Sequence, residues 1–170
     1  WIGTVPLAAH QVMLTISQLG YMLYYGMAAA VAIRVSYYHG QKNYANADNT
    51  ASAGLQLILL MGVAISIPIF LFRHVIGGLF TNSNEVVGMV SLTIIPFIIY
   101  QFGDGMQSNY ANALRGLSNV KPLMFVAFVA YFVITLPLGY FFGICLGGGL
   151  VGIWSAFPFG LTIAGVLYWL

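Results

Sequence analysis

At 170 residues, with 61% hydrophobic and only 5% charged side chains, the chain carries more apolar surface than a soluble fold of its size can bury. Its mean hydropathy of +0.93 says the same. A formal charge of +2, spread over few residues, excludes a nucleic-acid partner, and the single cysteine, Cys145, excludes an internal disulfide.

The apolar residues arrive in five blocks, at about 6–33, 52–72, 86–113, 122–145 and 148–168. A helix needs ~20 residues to cross a ~30 Å hydrocarbon core, and each block supplies them. Membrane strands would be ~10-residue alternating segments, whereas LQLILLMGVAISIPIFLF is apolar on every side. The sequence therefore predicts an all-α membrane protein of about five transmembrane helices, forming a single transmembrane domain over 1–170.

The stretches between blocks read as connections: RVSYYHGQKNYANADNT, RHVIGGLFTNSNE, RGLSNVK and LGGGL. Asn49-Thr50 and Ser83-Asn84 are placed to cap the helices that follow, and Gly40 and Gly116 to end those that precede. Pro68, Pro96, Pro137 and Pro158 fall inside spans, where each removes a backbone hydrogen bond and favours a kink.

Cytoplasmic loops retain Lys and Arg. Arg34, Lys42, Arg115 and Lys121 lie on one side of a five-span zigzag and only Arg73 on the other, which predicts cytoplasmic 34–50 and 114–121 loops, an external N-terminus and Cys145 near the external face. Trp1 is not an initiator methionine and no basic stretch precedes the first span. The expectation is a part of a longer protein whose earlier spans are missing.

Asp104 stands inside the third block, eleven residues before Arg115 and nineteen after Glu85. At 1.5 Å per residue these separations are roughly 16 and 28 Å, which puts the carboxylate within the membrane. An ionised carboxylate there costs ~3 kcal/mol or more unless it meets a cation, a proton or a polar cluster, so it is a functional-site candidate, with helix packing as the plainer alternative. At 100° per residue, Thr93, Phe97, Tyr100, Gln101, Asp104, Gln107 and Ser108 share about 120° of one helix face, a stripe unsuited to lipid. Gly103 and Gly105 flank the carboxylate and serve either bending or close packing.

On the first span Gln11, Thr15, Gln18 and Tyr25 lie within about 80° of one another and offer a matching face. His10 lies roughly 20 Å from the depth of Asp104 and reads as a helix-packing residue, with proton relay as the alternative. His39 and His74 fall in or beside loops. No pair of His, Cys or carboxylate residues has metal-ligand spacing within a span, so no fixed metal is expected, and no phosphate-binding loop is present.

The segments LAAHQVMLTISQLGYMLYYGMAAAVAIRVSYYHGQ, RHVIGGLFTNSNEVV, YQFGDGMQSNYANALRG and SNVKP, in that order, resemble transporters of the multidrug and toxic compound extrusion (MATE) family, NorM-like branch. The resemblance implies helices 8–12 of a twelve-helix, two-lobe protein that exports organic cations in exchange for Na⁺ or H⁺. It matches Asp104 to the family's helix-10 acidic residue and Tyr100 to an aromatic partner in the cation site. The N-terminal lobe and most of helix 7 are absent, so this part is not expected to transport alone.

The expected function is accordingly that of a multi-pass, non-enzymatic antiporter of the cytoplasmic membrane. Asp104 and Tyr100 are expected to carry the coupling ion, with Na⁺ only transient at Asp104, no cofactor beyond that ion, and a cavity lined by Gln101, Gln107, Gln18, Tyr25 and Gln11. Its partners would be small organic cations, the bilayer and the missing lobe. The competing readings are a lipid or lipid-linked-sugar flippase, which would need several basic residues in its cavity, and a non-transporting assembly subunit.

Overall fold

The computed structural model describes residues 3–170, so Trp1 lies outside the described residues. Among the described residues five helices are long and apolar enough to cross a membrane. The first two are α1 (Thr4–Gly40) and α2 (Tyr44–Leu71). A short helix, α3 (Arg73–Ile76), and a 3₁₀ turn (Gly77–Leu79) fold the next connection against the long third span, α4 (Asn84–Gly116). The fourth span runs Lys121–Cys145 through α5 (Lys121–Phe128), a π stretch (Val129–Thr135), α6 (Leu136–Tyr140) and a second π stretch (Phe141–Cys145). The fifth is α7 (Gly149–Trp169).

The predicted 34–50 connection is mostly helix. Its polar residues mark where the chain leaves hydrocarbon, but the helix breaks only at 41–43, so α1 continues to Gly40 and α2 begins at Tyr44. Asn43, and not Asn49-Thr50, caps α2, its Oδ1 accepting the Asn46 N–H at 3.2 Å. Ser83 occupies the N-cap position of α4 without a side-chain cap bond. Instead its own N–H donates to Thr81 Oγ1 at 3.2 Å.

Gly40 and Gly116 are the last helical residues, and the left-handed positions after them are taken by Lys42 (φ 58°) and Ser118 (φ 57°). Each closes a Schellman pair, with Asn43 N–H on Tyr38 O and Asn119 N–H on Leu114 O, both 2.9 Å. Gly116 serves contact: a Cβ there would lie 2.5 Å from the Ala32 carbonyl of α1.

α4 is the hub, packed on α1, α2 and α7, while the fourth span leans on α7. Two apolar clusters fill the bundle, one toward each end. The first holds Val31, Val35, Ala51, Tyr110 and Ala164, and the other Met13, Val90, Ile94, Phe97 and Trp154. Between them lies a thin layer with Tyr24, Ala28 and Ile58. Asp104 is set against this layer, bonded to Tyr24. Of the four prolines expected to kink spans, Pro68, Pro96 and Pro158 lie within helices and Pro137 opens α6.

Candidate functional site

The Asp104 carboxylate is 7% exposed and takes two tyrosine hydroxyls on one oxygen. Tyr24 of α1 donates a hydrogen bond to Oδ2, and Tyr100, one turn earlier on α4, donates to the same atom at 3.3 Å. The glycines on either side explain how the carboxylate is brought there. A Cβ at Gly103 would lie 2.8 Å from Thr162 Oγ1 of α7, and one at Gly105 2.7 Å from Ile58 of α2. Both glycines therefore serve close packing, and between these contacts Asp104 faces α1.

One turn away, Gln101 packs beside Gly20 of α1; it is 3% exposed and neither amide atom has a hydrogen-bond partner among the described residues. Gln107, one turn toward the other end, meets Tyr131 of the fourth span, with Nε2 3.1 Å and Oε1 3.2 Å from the hydroxyl. Tyr131 stands in the π stretch Val129–Thr135, where Thr135 Oγ1 donates to Ala130 O at 2.8 Å.

A cleft of about 170 Å³ opens along this face of α4, lined by Asp104, Gln107, Ser108, Asn112 and Arg115, by Tyr21 and Tyr25 of α1, and by Tyr131. Arg115 donates to Asn112 Oδ1 at 3.3 Å. The cleft is thus acidic near the middle of the helix and basic at its end. Its donors around Asp104 are oxygens, which suit a hard cation or a proton better than a soft metal.

Of the residues proposed from sequence, Asp104, Tyr100, Gln101 and Gln107 lie along one face of α4, and Tyr25 shares the cleft with Asp104 and Gln107. Gln11 and Gln18 do not join them. They are exposed with Thr15 on the side of α1 turned away from its packed face of Ala9, Met13, Gly20, Tyr24 and Ala28. Helical spacing identifies a polar stripe without saying which way it turns. Gly20 and Ala28, a turn before and after Tyr24, let that other face approach α4. The same signal singles out Tyr24, which helical spacing passed over in favour of Tyr25 on the polar stripe.

His10 does not reach Asp104; its Nδ1 accepts the Trp154 indole N–H at 3.3 Å. His39 and His74 are exposed. Trp154, Tyr21 and Tyr131 were not anticipated. Among the described residues no group of three His, Cys, Asp or Glu is close enough to hold a metal ion.

The family model MatE matches residues 1–141. The chain belongs to the MatE family. Solved structures share the fold. A MATE in the bent conformation is 21% identical, with 98% of this chain and 37% of that one covered at a TM-score of 0.85. The eukaryotic MATE transporter AtDTX14 is 20% identical, with 96% and 37% covered at 0.89. An inward-facing multidrug resistance MATE family transporter of the MOP superfamily is 17% identical, with 97% and 40% covered at 0.86. This MatE chain is therefore a multi-pass, all-helical membrane protein of the transporter fold, and it spans 37–40% of the length of these solved chains.

Proposed function

We propose that this MatE chain is the ion-coupling part of an antiporter that exports organic cations across the cytoplasmic membrane in exchange for Na⁺ or H⁺. The observation that carries the reading is the Asp104 carboxylate, held inside the bundle by Tyr24 and Tyr100 while it lines a cleft of about 170 Å³. A buried acid that faces both a tyrosine pair and an open cleft can be claimed by a small ion or by an organic cation in turn. If each binds best to a different arrangement of the helices, the competition couples their movements. Aromatic faces such as Tyr21 and Tyr25 attract a desolvated cation by ~0.5–2 kcal/mol each without demanding one shape, which permits a broad range of substrates.

The exposed Gln11–Thr15–Gln18 stripe suits a wall facing the rest of a two-lobe protein, consistent with the relatives' greater length. Placement in the NorM-like branch rests on the sequence segments alone. A flippase would place several cations where it holds phosphate, and here one residue, Arg115, lines the cleft at its far end.

The reading is tested with the full-length protein in proteoliposomes. Ethidium efflux should follow an imposed Na⁺ or pH gradient and stop when that gradient is collapsed. Efflux indifferent to both gradients would remove ion coupling, and movement of a fluorescent phospholipid in place of ethidium would favour the flippase.

A further inference from the structure

The Tyr100 ring is boxed on three sides. Phe97 stacks on it at 5.9 Å, and Trp154 and Phe157 of α7 meet it edge-on at 5.7 and 6.0 Å between centroids. Trp154 is itself 2% exposed and also touches Phe97 and Phe157, at 6.0 and 5.5 Å. An indole has one polar atom, the Nε1–H, and here that hydrogen has one acceptor, His10 Nδ1 on α1. The imidazole ring lies tilted over the indole at 5.8 Å.

These contacts form a single chain through three helices: His10 on α1 fixes the indole on α7, the indole is a wall of the Tyr100 box on α4, and the Tyr100 hydroxyl reaches Asp104. A phenol ring rotates and tilts as a unit, so where its hydroxyl ends is set by what confines the ring. A lost indole bond would leave a buried N–H without a partner, which favours a turn of the ring toward another acceptor and opens one wall of the box. The Tyr100 bond to Asp104, at 3.3 Å, is long for a hydroxyl donor and is the one that gives first.

We propose that His10 and Trp154 are positioning residues for the coupling site: an acceptor at the place of His10 Nδ1 orients the indole, and the indole holds the Tyr100 hydroxyl on Asp104. The inference rests on the reading of Asp104 as the coupling residue but is separable from it, because the hydrogen bond can be observed without transport.

In purified full-length protein the infrared carboxyl band of Asp104 is the one lost in Asp104→Asn. His10→Leu and Trp154→Phe should each shift it, whereas His10→Asn, whose Oδ1 can accept from the indole near the position of Nδ1, should leave it in place. In efflux assays the half-maximal coupling-ion concentration should move by about three- to tenfold in the first two variants, the range expected when a hydrogen bond to a charged group is weakened. The maximal rate should hold, and His10→Asn should behave as wild type. The double variant should shift no further than either single one, since both break the same link.

An unshifted band in His10→Leu, or a shift in His10→Asn as large as in His10→Leu, would overturn the inference. A band that behaves as predicted while Asp104→Asn still couples would uphold the positioning and reject the coupling reading. If His10→Leu does not fold, the pair Trp154→Phe and His10→Asn decides the matter in the same way.

Discussion

Two tyrosines adjacent in sequence have different neighbours. Tyr24 is 2% exposed and bonded to Asp104, while Tyr25 is 43% exposed and looks into the cleft. Tyr24→Phe should therefore weaken ion coupling, raising the half-maximal ion concentration for efflux by about tenfold, as expected for loss of a hydrogen bond to a carboxylate. Tyr25→Phe should leave that concentration alone, and Tyr25→Ala should alter the rank order of exported drugs in expressing cells. Equal effects of the two phenylalanine changes on coupling would contradict the assignment. The carboxylate itself was legible in sequence, because a lone acid within a long apolar block is conspicuous. Its partner on α1 was not: residues 24 and 25 lie only about 100° apart, the polar stripe favoured Tyr25, and what turns Tyr24 toward α4 is the small size of Gly20 and Ala28 one turn to either side of it.

Helix contacts in this bundle depend on glycines, and their effects separate by position. A Cβ at Gly54 of α2 would meet Val31 of α1 and Asn109 Oδ1 of α4, the latter at 2.7 Å, whereas one at Gly26 meets nothing within 4 Å. Gly54→Leu should lower the Tm of the purified protein through overpacking of about 1–3 kcal/mol, while Gly26→Ala should not lower it. Asn109 is fully buried and donates to the Ala51 carbonyl of α2 at 2.9 Å. Asn109→Leu should cost about 0.6–2 kcal/mol, the scale of polar contacts between membrane helices, and equal Tm values for this variant and wild type would show the bond to be idle. At this scale the five spans could be read from hydropathy, but their ends could not. Polar residues at 34–50 report depth in the membrane, whereas helix ends are set by the Schellman pairs at Lys42 and Ser118 and by the Asn43 cap. The π stretch that carries Tyr131 left no mark in composition.

As a molecule, the five spans alternate direction, so the turns at 41–43 and 117–120 share one side and the 72–83 and 146–148 segments the other. Retention of Lys and Arg predicts that the first side faces the cytoplasm. In a full-length Cys145→Ala background, a cysteine at Asn82 should react with an impermeant maleimide on intact cells and one at Asn43 should not; the reverse pattern would invert the orientation. Family membership and fold bound what such a bundle can be, and the central claim beyond them is that Asp104 carries the coupling ion. Asp104→Asn keeps the shape and hydrogen-bonding capacity of the side chain and removes its charge, so it isolates that claim. In proteoliposomes holding the full-length protein, gradient-driven ethidium efflux should be lost in Asp104→Asn while insertion and Tm stay near those of wild type. Efflux that continues at the wild-type rate under imposed Na⁺ and pH gradients would contradict the account and leave Asp104 as a residue that only packs helices.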